Sequence, residues 1–363
     1  MIYLDNAATT KPDAHILEAY SKLSEDMFYN SESLHGGGLD INDLLQQTRN
    51  YIQKYFNSSK QVIFTRSGSH ANEIALQLLL KERKPGHVLI SPYEHLSIKA
   101  ALGQFSGIYS CTMMPLDRNG HIDLDKLSEM MEDDTALVIM QHVNSETGYR
   151  LPVEVVGDMC DVRGIPLHVD GVQGAHKDGI DIDRIPGSYS FSGHKIHGTK
   201  GTGALMVDYR YMNVLNSHFH HESGTQNGTL DVPGIAAMAM CLSSEPGIKR
   251  MKDIRQYLVK KMDSIGVITL CFKACAPHIL ACATPWVEGQ YVMQGLSSKN
   301  IYVSTGTACG RGRMISRGLE EVLEGGYGTS GEHYIRISIS KNTTKDEIDS
   351  LVSHMDQILQ EVE

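Results

Sequence analysis

Between residues 61 and 207 the chain repeats one pattern, and that pattern restricts its fold more than any other feature. Short apolar runs occur at 61–65, 87–91, 136–142, 166–169, 188–191 and 204–207, with polar residues after most of them. Runs of this length suit buried strands better than helices. Longer amphipathic segments separate many of them. Residues 72–81 follow the small-residue turn Ser67-Gly68-Ser69, and residues 153–163 follow Pro152 and close before Gly164. Alternating strands and helices predict an α/β layer structure, with a mainly parallel central sheet and helices on both faces.

The pattern changes after about residue 245. A helical stretch at 251–265 precedes short strand candidates at 268–272 and 279–283, and a last strand at 334–340 precedes a terminal helix. Thr344-Lys345-Asp346-Glu347 has the order of a helix cap followed by acidic first-turn residues. This part has too few crossovers to extend the first sheet, so it predicts a smaller α+β domain. The division read from the sequence is 13–247 for the large domain and 1–12 with 248–363 for the small one.

Composition narrows the class. The 363 residues are 41% hydrophobic and 21% charged, ordinary values for a soluble globular protein. A formal net charge of -10 and the lack of a long basic run argue against nucleic acid or an anionic membrane as partner. Asp5 and Asn6 interrupt the start where an export signal would be apolar, and no run approaches a membrane span. Seven scattered cysteines, an odd number without a CxxC pair, predict a reducing cytoplasm. Cys271 and Cys275 lack a second ligand pair and read as buried apolar thiols rather than a zinc site.

In open parallel sheets ligands bind beyond the carboxyl ends of the strands. The residues that follow the runs are Arg66-Ser67-Gly68-Ser69, Glu94-His95, Asn144-Ser145-Glu146, Asp170 with Gln173, and Ser192-Gly193-His194-Lys195. Taken singly, the serines could be a helix cap and His95 a structural histidine. Asp170 and Lys195 resist such readings, because a charge at the end of a buried strand needs a partner. One ligand answers all of them: an anion for the helix terminus, a cationic ring nitrogen for Asp170 and an electrophilic carbonyl for Lys195. Pyridoxal 5'-phosphate has these three groups. His95 would stack on its ring, and Lys195 would be the amine that holds it.

The motifs LDNAATT, the SGS helix start, Glu94-His95, HVNSETG, HVDGVQ and SFSGHK stand in this order along the chain. NGTLDVPGIAA, STGTAC and YIRISIS continue the series to residue 340. Together they resemble the cysteine desulfurases, class V aminotransferase-like pyridoxal phosphate enzymes of fold-type I. The resemblance implies that Lys195 binds the cofactor and shuttles protons, and that Asp170 pairs with the ring nitrogen. It also implies that Gln173 contacts the ring hydroxyl and that Gly68, Ser69, Ser192 and His194 hold the phosphate. Thr229 would reach the phosphate of the other subunit, implying a homodimer. Arg336 would pair with the substrate carboxylate, beside Asn144 and Ser145. Cys309, flanked by Arg311 and Arg313, would take sulfur from L-cysteine as a persulfide, release alanine and pass the sulfur to an acceptor protein, as in iron–sulfur cluster assembly.

Two positions depart from the family pattern. Ser145 stands where a second asparagine is usual, and Gln226 where an arginine is usual, which predicts a lost positive charge near the substrate. Selenocysteine lyase, another class V lyase or transaminase, and a cofactor-binding homologue with weak or no desulfurase activity are the alternative expectations. The cluster His218-Phe219-His220-His221-Glu222 reads as a family loop rather than a metal site, and no metal is expected. The glycine-rich stretch 198–203 reads as a turn into the following strand.

Overall fold

A computed structural model of the chain describes residues 1–81, 83–214, 221–305 and 315–362. Its strands are β1 (Ile2–Tyr3), β2 (Gln61–Thr65), β3 (His87–Ile90), β4 (Ser110–Met113), β5 (Thr135–Gln141), β6 (Leu167–Asp170), β7 (Gly187–Ser192), β8 (Gly203–Val207), β9 (Ile268–Thr269), β10 (Ile279–Ala283), β11 (Ile301–Tyr302) and β12 (Tyr334–Ser338). The central sheet has the order β2-β8-β7-β6-β5-β3-β4. β8 runs antiparallel to both of its neighbours, and every other pair is parallel.

β5 shows why this sheet forms. All seven of its residues, TALVIMQ, are buried. Leu137 and Ile139 join the apolar cluster on one face, while Val138 and Met140 join the cluster on the other. That is the two-residue period of a strand covered on both sides. Full burial of each such side chain contributes roughly 1.5–3 kcal/mol. β4 was not visible as an apolar run. Its sequence, SCTM, is largely exposed, because an edge strand is held mainly by backbone pairing on one side.

The first four helices are α1 (Ala14–Asp26), α2 (Gly36–Tyr55), α3 (Gly68–Leu80) and α4 (Leu96–Gly103). α3 starts at Gly68 rather than Asn72. Ser67 caps it, its hydroxyl accepting from the His70 amide at 3.1 Å. The apolar residues Ala71, Ile74, Ala75, Leu78 and Leu79 of α3 pack into the same cluster as Leu137 and Ile139.

A second, three-stranded antiparallel sheet has the order β12-β10-β9. β1 pairs in parallel with β11, and Leu4 belongs to the apolar cluster of Val292, Leu296, Ile335, Ile337 and Met355. The N-terminal segment then crosses to the large sheet. Asn6 donates to the Ser338 carbonyl at 2.9 Å, and the Thr10 amide donates to the His194 carbonyl at 2.9 Å. The last helix, Lys345–Val362, opens with a reciprocal cap. The Glu347 amide donates to Thr344 Oγ1 at 3.2 Å and the Thr344 amide to Glu347 Oε2 at 2.9 Å.

Among the described residues no helix is long and apolar enough to cross a membrane. Cys160, Cys241 and Cys282 are buried and Cys275 half-buried, all as free thiols. Cys271 corrects the expectation of a buried thiol. It is exposed, because β9 ends at Thr269 and the chain leaves the sheet there.

Candidate active site

The carboxyl ends of β2, β5, β6 and β7 deliver the candidate residues to one rim. After β2, the first turn of α3 leaves amide groups that the helix itself cannot pair. Gly68 is buried there, and a Cβ in its place would meet Val172 Cγ2 at 2.4 Å. Ser69 is exposed beside it. Ser192 ends β7, and its hydroxyl donates to the Thr202 carbonyl at 3.1 Å. His194 Nδ1 pairs with Thr9 Oγ1 at 3.1 Å. Burial, with Lys195, Lys200 and Lys177 nearby, pushes the His194 imidazole down to about 4, so it is neutral near pH 7.

Asp170 is the last residue of β6 and only 5% exposed. Its Oδ1 accepts from the Val172 amide at 3.0 Å and its Oδ2 from Asn72 Nδ2 at 2.9 Å. Lys195 closes the tight turn after β7. Its Nζ donates to the carbonyls of Ala7 at 2.5 Å and Ala8 at 2.7 Å, on the arm that crosses from the small sheet. Gln173 Nε2 donates to the same Ala7 carbonyl at 2.7 Å. His95 caps α4 and is open to solvent in the cleft, its Nδ1 accepting from the Ser97 amide at 3.1 Å. Although part of its ring meets solvent, desolvation by the surrounding protein lowers the pKa of His95, with Asp170 opposing that shift and Lys195 adding to it. Glu94 beside it is buried, and its carboxyl is pushed well above the usual range by burial and by Asp170.

A third group lies where the second sheet meets this rim. Arg336 on β12 donates from Nη1 to the Ser145 carbonyl at 2.9 Å and from Nη2 to Asp5 Oδ1 at 2.8 Å. Its Nε is buried and has no hydrogen-bond partner among the described residues, a donor left over for a ligand. Asn144 is spent on structure. Its Oδ1 accepts from the Glu146 and Thr147 amides and its Nδ2 donates to the Tyr93 carbonyl, which fixes the loop. Glu146 accepts from the Ser316 amide at 2.9 Å and from the Ser316 hydroxyl. Cys309, Arg311 and Arg313 lie outside the described residues.

This chain matches known proteins along nearly its whole length. The sequence pattern of the aminotransferase class-V family covers residues 2–351. The chain belongs to the aminotransferase class-V family. NifS of Bacillus subtilis (strain 168) is 34% identical, over 97% of this chain and 93% of that protein. Cysteine desulfurase IscS of Pectobacterium carotovorum subsp. carotovorum (strain PC1) is 31% identical, over 96% of this chain and 90% of its own length. A solved structure named NifS-like protein superposes with a TM-score of 0.88 at 26% identity, covering 99% of each chain.

Class V enzymes use pyridoxal phosphate, and the donor set here fits it. A glycine-lined helix start, a lysine after β7 and a carboxylate at the end of β6 share one rim. Asp170→Asn keeps the side-chain size and removes the charge. Cofactor affinity is expected to fall about tenfold or more, and an absorbance titration of the cofactor-free protein checks this.

The two departures from the family pattern take different places. Ser145 lies at the rim and offers its carbonyl to Arg336. Gln226 is spent on the fold: its Nε2 donates to the Phe64 carbonyl at 2.5 Å, on the open edge of β2. Glu222 completes that edge, its Oε2 accepting from the Phe64 amide at 2.7 Å and its Oε1 from Arg49 at 2.5 Å. Side chains thus pair backbone groups that an edge strand would otherwise expose. Thr229 is exposed on the segment leading to the helix Val232–Ser243. Residues 215–220, with His218 and His220, lie outside the described residues.

Lys177 was missed by sequence reasoning, because a lysine in the polar stretch HKDG carries no signal of burial. It is 7% exposed and donates from Nζ to Gln173 Oε1 at 3.2 Å, which leaves Gln173 Nε2 as the donor. Burial, with Lys195 adding to it, pushes its amine from 10.5 down to about 7. Between these two values the unfolded chain holds a proton that the folded chain lacks. The contribution of Lys177 to stability therefore rises with pH across that window. Lys177→Met is expected to gain stability over the parent chain most at or below about pH 7, with the gain fading toward pH 10.5. Urea midpoints measured for both proteins across this range check it.

Proposed function

We propose that this chain is a pyridoxal-phosphate-dependent cysteine desulfurase. In net form, L-cysteine and the Cys309 thiol become L-alanine and a Cys309 persulfide. The carbon–sulfur bond of the substrate breaks, a sulfur–sulfur bond forms at Cys309, and a proton is delivered to the substrate carbon. When bound, the cofactor supplies a carbonyl that condenses with amines and a ring that takes up electrons.

The chain's own residues supply the rest. Lys195 holds the cofactor and moves the proton, Asp170 keeps a positive ring nitrogen paired, and Gln173 Nε2 donates to the ring hydroxyl. Gly68, Ser69, Ser192 and His194 cradle the phosphate. Arg336 binds the substrate carboxylate, and its buried Nε, without a partner among the described residues, supports that role. We read 13–247 as the domain that holds the cofactor and 1–12 with 248–363 as the domain that brings the arginine and Cys309.

One observation carries the desulfurase reading beyond cofactor binding. The described residues on either side of segment 306–314 are fastened to the substrate side of the rim. Ser304 pairs with Arg336 through backbone bonds of 3.1 and 2.7 Å, and Ser316 is held by Glu146, next to Ser145. A chain anchored at both points starts and finishes beside the arginine proposed to bind the substrate, and Cys309 falls between these points in the sequence. Full-length likeness to a cysteine desulfurase supports the same reading. We further propose a cytoplasmic homodimer in which Thr229 reaches the phosphate of the other subunit. The sulfur passes to an acceptor protein, with iron–sulfur cluster assembly as the route.

The test is alanine released from L-cysteine by the cofactor-loaded protein, with a thiol reductant present to clear the persulfide. Catalytic release is expected. Bound cofactor without alanine, under conditions where selenocysteine or another amino acid is consumed, would overturn the reading.

A further inference from the structure

Asn72 stands on the first turns of α3, 1% exposed, and all of its hydrogen-bonding capacity is used. Its Nδ2 donates to Asp170 Oδ2 at 2.9 Å and to Ser97 Oγ at 3.0 Å. Its Oδ1 accepts from Ser190 Oγ at 2.5 Å and faces His168 Nε2 at 3.1 Å. Neither role can be reversed. An ionised carboxylate only accepts, so the amide nitrogen must face Asp170 and the amide oxygen must face His168.

The direction of every neighbouring bond follows. Burial pushes the His168 imidazole down to about 3, so it is neutral and carries one proton. That proton must sit on Nε2 to reach Asn72, and Nδ1 then accepts from Ser188 Oγ at 2.8 Å. On the other branch, Ser97 Oγ accepts from Asn72, so its own hydrogen is free to point at His95 Nδ1, 2.8 Å away. The Ser97 amide donates to the same nitrogen at 3.1 Å. With two donors aimed at it, Nδ1 of His95 is an acceptor and the ring proton lies on Nε2.

We infer that Asn72 is a positioning residue that orients the Asp170 carboxylate and, through Ser97, holds His95 as its Nε2-protonated tautomer. This inference rests on reading the rim as the cofactor site, where Asp170 and His95 address the ring from its nitrogen and from its face. One amide thereby sets both groups. Truncating it removes a hydrogen bond to a charged group and frees the Ser97 hydroxyl to turn.

The test uses nitrogen-15 histidine spectra of the full-length protein, recorded without cofactor, together with cofactor titrations of the same samples. The His95 and His168 signals are assigned from His95→Gln and His168→Gln. Both rings are expected to carry their proton on Nε2 in the parent chain. In Asn72→Ala the His95 signal is expected to move toward a tautomer mixture, with cofactor affinity roughly tenfold weaker, the size of one lost hydrogen bond to a charged group.

Ser97→Ala is expected to disturb the His95 tautomer and leave cofactor affinity within about twofold, because only the His95 branch is cut. A residue with a merely structural role would lower thermal stability and leave the tautomer unchanged. A His95 proton on Nδ1 in the parent chain, or an unchanged His95 signal in both variants, overturns the inference. If the parent chain takes up no cofactor, the cofactor reading fails instead, and the tautomer spectra still decide the role of Asn72.

Discussion

Lys195→Ala is expected to abolish desulfuration, lowering alanine release from L-cysteine by at least about a thousandfold. The residue is assigned two tasks, holding the cofactor and moving a proton, and general acid–base transfer alone is worth about 10²–10⁴-fold. No described neighbour is placed to replace it. Lys177, the nearest candidate, is buried and bonded to Gln173. The substitution should leave the fold intact, because Lys195 meets its partners on the Ala7–Ala8 arm at the surface of the cleft rather than in an apolar core. Borohydride reduction followed by mass spectrometry separates the two tasks: cofactor becomes fixed to the parent chain and none to Lys195→Ala. Cofactor fixed to another lysine would remove Lys195 from its proposed place. Lys195→Arg is a useful companion, because it keeps the positive charge while lacking a nucleophilic amine at neutral pH.

Cys309→Ser is expected to stop alanine release just as completely while leaving the visible spectrum of the bound cofactor unchanged. A serine hydroxyl is far less nucleophilic toward sulfur than a thiolate, so the sulfur has no acceptor on the chain. The six described cysteines cannot substitute. Cys160, Cys241 and Cys282 are buried, and burial pushes the first two thiols up to about 12 and raises that of Cys282 as well, so they remain protonated and unreactive. Cys275 is half-buried and also raised. Cys111 sits on β4, the sheet edge opposite β2, with its thiol raised by burial, and Cys271 follows β9 of the small sheet. Retained alanine release in Cys309→Ser would remove the persulfide step from this residue. Retained release that is lost again in Cys271→Ser would assign the step to the exposed thiol beside β9.

Much of this site is legible in the sequence itself. β2, β5 and β6 announced themselves through consecutive apolar residues, and β7 through Tyr189 and Phe191 alternating with serines, and the polar residues that end such strands stand out. Asp170 was conspicuous for that reason, and Lys195 because it follows the end of a buried strand. The edge strand β4 stayed hidden, because one-sided pairing asks little of its side chains. The length of the Tyr334–Ser338 strand and the start of α3 shifted by a few residues for a similar reason: caps and turns, rather than apolar spacing, decide where an element stops.

Partners across the fold were not legible, since hydrogen bonding between distant residues leaves no periodic trace. Gln226 looked like a lost charge at the substrate, and the tertiary structure instead places its amide on the edge of β2. Asn144 looked like a substrate contact, and its amide is occupied by the Thr147 amide of its own loop and by the Tyr93 carbonyl after β3. Asn72 looked like an ordinary helix residue and proves to join Asp170 to His95 through Ser97. The sequence by itself determined the layered α/β class, the rim where chemistry gathers and the identity of the charged groups there, because burial and charge are local costs written residue by residue. Only the tertiary structure decided how those groups are aimed. Aim depends on which donors and acceptors remain unsatisfied once the strands and helices have packed, and that is a property of the whole fold.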